Sequence, residues 1–242
     1  MYSPDKKRIW KKRRPDGEAG DAGRAAAAEA ISAACGISAA CARLVYDRGY
    51  RTPDEVRDFI NRKYDGGHDP FLLTDMDRAC DRIERAIESG DETVAVWGDY
   101  DVDGVTSASL LYLYFTKRGL HAGYYIPTRS EGYGMNREEI DRLHGYGVTL
   151  IVTVDTGITA VSETDYAKSL GVDVVVTDHH ECHEELPRAA AVVNPHRQGD
   201  AYPMKELAGV GVALKLVSAL EIRRAEREGE SVASALAQVM RD

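Results

Sequence analysis

The chain has 242 residues, enough for one large domain or two small ones with a buried core. A hydrophobic content of 43% and a charged content of 29% exclude a disordered chain. No apolar run reaches the ~18 residues of a membrane span, so no membrane partner is expected.

Residues 1–14 read as a basic tail, with Trp10 inside "KKRIWKKRR" (Lys6 to Arg14). No apolar stretch follows it, so it is not a secretory signal. The net charge of −9 argues against a surface that coats duplex DNA by bulk attraction. Segregated charge still leaves nucleic acid open. Cys35, Cys41, Cys80 and Cys182 form no CxxC pair, which fits reduced thiols in a cytoplasm.

Residues 15–90 read as a helical N-terminal section. Small residues from Glu18 to Ala40 suit close-packed helices. In "RTPDEVRDFINRK", Thr52 is an N-cap, Pro53 takes the first helical position and Glu55 closes a capping box. In "TDMDRACDRIERAIESG", Met76, Ala79, Ile83 and Ile87 share one helical face and Gly90 is the stop.

After Gly90 the rhythm changes to alternating strand and helix. "ETVAVW", "HAGYYIP", "TLIVTV" and "VDVVVTD" read as strands, and the helices between them close on Gly119, Gly145 and Gly171. This predicts an α/β domain over 91–242, a parallel sheet with helices on its faces. Three strands end in polar residues: "VAVW" before Asp99, Asp101 and Asp103, "LIVTV" before Asp155, and "VVVT" before Asp178, His179 and His180. Parallel sheets bind ligands at the carboxyl ends of their strands, so these groups should converge on one crevice.

The loop "DYDVDG" (Asp99 to Gly104) matches the start of a calcium-binding EF-hand. The twelfth position demands a bidentate Glu and holds Leu110, and a strand precedes the loop, so EF-hand is rejected. A phosphatase with a D-x-D nucleophile pair fits "DVDGV" loosely, but leaves the two histidines without a role. Two divalent metals bridged by a carboxylate would use the whole set of Asp99, Asp101, Asp103, Asp155, His179 and His180. The plainer alternative is that the aspartates cap helices and the histidines are incidental. Cys182 and His183 in "DHHECH" complete no structural-zinc spacing and read as surface or capping residues.

"GDYDVDGVTS", "VTVDTGI" and "TDHH" resemble the first three motifs of the DHH phosphoesterase superfamily. "YDRGYRTPDEVRDFIN", "HDPFLLTDMDRACDRI", "YYIPTR", "EGYGMN", "VVNPHR" and "YPMKELAGVGVALKL" narrow the resemblance to RecJ-like bacterial exonucleases specific for single-stranded DNA. The resemblance implies Asp101, Asp103, Asp155 and His179 as metal ligands, with Asp155 bridging, and Asp99 joining or supporting the metal shell. It implies two Mn²⁺ (or Mg²⁺) ions per complete site.

His180 would contact the scissile phosphate with an acid or orienting role, and Asp178 would hold an imidazole. Arg129 would contact phosphate, with a surface ion pair as the other reading. In the family pattern two residues separate this arginine from the following glutamate, and here only Ser130 does. Gly209 and Gly211 would open a helix whose amides hold a backbone phosphate, or would serve close helix–sheet packing.

The implied activity is 5′-to-3′ exonuclease action on single-stranded DNA in repair and recombination. A single-strand-binding protein and a helicase are the implied partners. The family pattern continues past "ALAQVMRD" into a fourth motif with another ligand aspartate. The expectation is therefore an N-terminal portion of a longer enzyme, weakly active or inactive alone. Rival readings are a DHH relative acting on oligoribonucleotides or cyclic dinucleotides, and a non-catalytic replication scaffold.

Overall fold

The computed structural model describes residues 21–61 and 67–241. The basic tail and the start of the alanine-rich stretch lie outside the described residues. The chain divides into two compact units, 1–65 and 66–242.

The first unit is built from α1 (Asp21–Cys35), α2 (Ala39–Asp47) and α3 (Pro53–Ile60). Its core is Ala28, Ile31, Ala42 and Val56, small and branched side chains that let short helices approach closely. The capping box on α3 forms: the Glu55 amide donates to Thr52 Oγ1 (3.2 Å) and the Thr52 amide to Glu55 Oε2 (3.0 Å).

The second unit opens with a 3₁₀ turn at Pro70–Leu72 and α4 (Met76–Ser89), and continues as β1 (Thr93–Trp97), α5 (Val102–Lys117), β2 (His121–Tyr125), α6 (Arg137–Gly145), β3 (Val148–Val154), α7 (Val161–Ser169), β4 (Asp173–Thr177), β5 (Ala191–Val193), α8 (Gly209–Glu228) and α9 (Val232–Val239). All neighbouring strands pair parallel in the order β2-β1-β3-β4-β5. Alternate residues enter opposite faces. Val94 and Val96 join the core under α4, α5 and α8, while Ala95 and Trp97 join the one under α6 and α7. The architecture is the parallel α/β sheet with helices on both faces, preceded by a helical section.

Four details differ from the sequence reading. The boundary falls at residue 65/66 and not near 90. The apolar stripe of α4 (Met76, Ala79, Ile83) is buried against the sheet strands and α8, because a one-sided helix needs a face to cover and periodicity does not say which. Strand β5 went unread because three residues carry no usable period. Gly145 stays helical, and Gly147 takes the left-handed turn at φ 81°.

The strand order reverses direction between β1 and β3. At such a switch point the flanking loops diverge and leave a crevice outside the carboxyl ends of the two strands. The Asp99 loop and Asp155 stand at those two ends.

Candidate metal centre

The loop after β1 is held against α5 by the absence of side chains. A Cβ on Gly104 would lie 2.4 Å from the Asp99 carbonyl oxygen, and one on Gly98 would lie 3.0 Å from the Gly104 oxygen. These contacts draw Asp99 under the helix, where it is buried and its Oδ1 has no hydrogen-bond partner. Asp101 is the N-cap of α5, its Oδ1 accepting from the Asp103 and Gly104 amides, both at 2.9 Å.

Asp155 follows β3 in a left-handed conformation, φ 58°, which an aspartate tolerates better than most residues. Gly157 supports the turn at φ 106°, where a Cβ would strike Thr153 Oγ1 at 2.6 Å. The Asp155 carboxyl is pushed up to about 7, by burial first and then by the charges of Asp103 and Asp101. This carboxylate lacks a counter-charge to match its burial.

After β4, Asp178 is fully buried and saturated. Its Oδ1 accepts from the His179 and His180 amides (2.7 and 3.1 Å), its Oδ2 from the Ile158 amide (2.9 Å). His180 Nδ1 lies 2.7 Å from the same Oδ1, so Nδ1 carries the proton and Nε2 is the ring nitrogen left for another partner. That hydrogen bond is the main reason the His180 imidazole titrates above its ordinary value.

Two sets of ligand atoms converge, each within 4.8 Å: Asp99, Asp101 and Asp155, and Asp155, His179 and His180. Asp155 belongs to both. His179 Nε2 is 3.0 Å from Asp155 Oδ1, yet that buried oxygen has no hydrogen bond. With Asp99 Oδ1 also unpartnered, the donor set fits divalent cations: hard oxygens with one or two imidazoles, and one carboxylate placed between two ions.

Asp103 stands apart from both sets. Its Oδ2 accepts from the Gly209 amide (2.7 Å) and its Oδ1 from the Val210 amide (2.8 Å), capping α8, with Oδ2 3.6 Å from His179 Nε2. The helix-capping alternative weighed for the aspartates therefore describes Asp103 and Asp101, but not Asp99 or Asp155.

The same contacts correct the reading of Gly209 and Gly211 as phosphate holders. The Gly209 amide is engaged by Asp103, and the Gly211 amide by the Ala208 carbonyl (2.9 Å). Close packing explains Gly209 instead, since a Cβ there would lie 2.7 Å from Asp155 Oδ1. Arg129 is exposed, its guanidinium 5.6 Å over the Tyr100 ring in the aspartate loop. It forms no ion pair among the described residues, which removes the salt-bridge reading. Cys182 is half-buried against the core on the α6–α7 face of the sheet and His183 is exposed; neither joins a ligand set.

Two residues at the site were not singled out from the sequence. The Tyr133 hydroxyl lies 3.3 Å from the Asp155 carbonyl oxygen and 3.2 Å from His180 Nδ1. Asn194 is fully buried; its Nδ2 donates to the His180 carbonyl (3.0 Å) and its Oδ1 accepts from the His196 amide (2.8 Å). Their segments, "EGYG" and "VVNPHR", carried a family likeness but no spacing that assigns them a task.

A model of the DHH family, N-terminal domain, matches residues 93–241. A single-stranded-DNA-specific exonuclease RecJ of Bacillus subtilis is 46% identical over 185 residues, covering 76% of this chain and 23% of the relative. A crystal structure of exonuclease RecJ bound to manganese is similar with a TM-score of 0.57 and 32% identity, over 67% of this chain and 42% of that one. RecJ from Thermus thermophilus in complex with Mn²⁺ gives a TM-score of 0.61 and 28% identity, over 88% of this chain and 30% of that one. The chain thus spans well under half the length of each of these relatives.

Proposed function

The chain belongs to the DHH family, and from that premise we propose that it forms the metal-binding half of a phosphodiesterase that shortens single-stranded DNA. The supporting observation is the Asp155 carboxylate, shared by two ligand sets and buried without a hydrogen bond on Oδ1. Two divalent ions, Mn²⁺ or Mg²⁺, would supply a nucleophilic water at neutral pH and offset charge on the phosphoryl oxygens. Asp99, Asp101 and Asp155 would hold one, and Asp155, His179 and His180 face the other.

The remaining residues orient and donate. Asp178 fixes the His180 ring through Nδ1 and keeps it protonated further toward neutral pH. His180 Nε2 is thereby set to donate to a phosphoryl or leaving oxygen, a role that competes with ligation at the same ring. Arg129 offers two parallel donors for a phosphate beside the aspartate loop. Asp103 ties α5 to α8, so the two walls of the crevice hold their spacing.

The reading extends to 5′-to-3′ polarity, to work in repair and recombination, and to contact with a single-strand-binding protein and a helicase. The test is mononucleotide release from end-labelled single-stranded DNA in Mn²⁺, with a panel of oligoribonucleotides and cyclic dinucleotides alongside. With the longer enzyme of which this chain would be the metal-binding part, release is expected from the DNA and is expected to vanish in Asp155→Ala. Undiminished release by that variant, or preference for a cyclic dinucleotide, would overturn the proposal.

A further inference from the structure

Residues 179–189 follow β4 without helix or strand, and among the described residues they make no main-chain to main-chain hydrogen bond. His180 sits near the start of this stretch, so no ladder fixes its backbone. Side chains fix it instead. The Asp178 carboxylate takes the His180 amide (3.1 Å) and the ring Nδ1 (2.7 Å), which governs the amide side of the residue. Asn194 governs the carbonyl side, its Nδ2 donating to the His180 carbonyl oxygen at 3.0 Å.

Asn194 is fully buried and directly follows β5. The Val193 carbonyl accepts from the Asp178 amide (3.0 Å), so the ends of β4 and β5 are tied side by side. From the N-terminus of α4, Asp75 Oδ2 accepts from the Val192 amide (3.2 Å) and from Arg197 (2.9 Å). The Arg197 amide in turn donates to the Asn194 carbonyl (3.2 Å). Asn194 is held before it holds His180.

The ordinary reason for an asparagine here is a turn, since Oδ1 accepts from the His196 amide two residues on (2.8 Å). That turn uses the oxygen alone, and an aspartate or a serine would serve it. The amide nitrogen is what an ionised aspartate lacks, and it is the atom spent on His180.

We propose that Asn194 is a positioning residue for the reaction: by holding the His180 carbonyl it keeps the imidazole on Asp178, with Nε2 left for the phosphate. This role rests on the phosphodiesterase reading above. Released from Asn194, the His180 peptide rotates and carries its ring off Asp178. Such a displacement lowers the rate of the chemical step without removing a contact to the DNA.

The test joins single-turnover kinetics of the longer enzyme on single-stranded DNA to nitrogen NMR of this chain. Asn194→Ala is expected to lower the rate about tenfold, with the half-saturating DNA concentration within about twofold. Asn194→Ser keeps an acceptor for the turn on a side chain too short to reach His180, and is expected to lose as much. In a His180→Ala background, Asn194→Ala is expected to cost no further rate, because its effect passes through that ring. Long-range ¹⁵N–¹H spectra of the metal-free chain at pH 8 are expected to show the wild-type His180 ring protonated on Nδ1, and the Asn194→Ala ring exchanging between tautomers. A wild-type rate in Asn194→Ser, or an equal loss in the His180→Ala background, would overturn the role and leave the proposed function standing. A wild-type ring protonated on Nε2, or a ring unchanged by Asn194→Ala, would do the same. Absence of hydrolysis by the wild-type enzyme would overturn the phosphodiesterase reading and the positioning role with it.

Discussion

The two ends of the sheet each gather buried or half-buried carboxylates, and they treat them oppositely. At the amino ends, Arg82 from α4 donates to Asp173 Oδ2 (2.5 Å) and to both oxygens of Glu92 (3.2 and 2.6 Å), and Thr149 adds a bond to Glu92 (2.7 Å). Burial works to raise the Glu92 carboxyl, but the Arg82 and Thr149 hydrogen bonds outweigh it and hold it below the ordinary range. At the carboxyl ends no guanidinium among the described residues pairs with Asp99 or Asp155. Asp155 is pushed up to about 7, and its Oδ1 and that of Asp99 have no hydrogen bond. Burial of acids is common to both ends, so burial alone does not mark a metal site. What separates them is whether the chain supplies its own cation.

Removing the shared carboxylate breaks the comparison most severely. Asp155→Ala is expected to lower phosphodiester hydrolysis at least about a thousandfold and to abolish the Mn²⁺-induced rise in Tm, read by single-turnover kinetics and thermal melts. The milder Asp155→Asn fits the left-handed backbone and removes the unbalanced charge. In EDTA at pH 8 it should be more stable than the wild type by about 2 kcal/mol in urea denaturation.

Breaking the other end has the opposite signature. Arg82→Met leaves Glu92 and Asp173 without their cation and should cost about 3 kcal/mol of stability while Mn²⁺ affinity stays within twofold. Adding Glu92→Gln to that variant should restore part of the loss, since an uncharged partner no longer needs the guanidinium.

The pH dependence sharpens the contrast. The Asp155 carboxyl titrates higher in the folded protein than in the unfolded chain. Its contribution to metal-free stability is therefore complete below pH ~4 and lost as pH rises through about 7. Mn²⁺ affinity runs the other way, falling as pH drops below about 7, because the ligand must be ionised. Melts with and without Mn²⁺ from pH 5 to 8 should diverge with rising pH, and Asp155→Asn should remove this divergence.

The smallest effect is expected from Gly209→Ala. Its methyl would press on Asp155, which should weaken Mn²⁺ about tenfold and cost about 1 kcal/mol of stability by the same titration and denaturation.

Much of this was legible before folding. Strand and helix periods, the capping box at Thr52 and the polar residues at three strand ends are local patterns, and local patterns survive in one dimension. They placed the α/β class and the alternation after Gly90, and they put six candidate ligands at the ends of three strands. They did not separate Asp103 from Asp99. Both are aspartates of one short run, and only the arrival of the α8 amides engages one and leaves the other bare. Nor could they assign α4 to the sheet, foresee Arg82 between Glu92 and Asp173, or locate Tyr133 and Asn194 around His180.

The sequence by itself determined which chemical groups this protein can bring to a strand end, because residue type and period are properties of the chain. Tertiary structure decided which carboxylates the chain itself partners and which it leaves bare. That depends on partners from distant segments: Arg82 at one end of the sheet, the α8 amides at the other, and at Asp155 no hydrogen-bond donor for Oδ1. Burial makes each such partnership decisive, since a charge removed from water takes a neighbour, an ion or a proton.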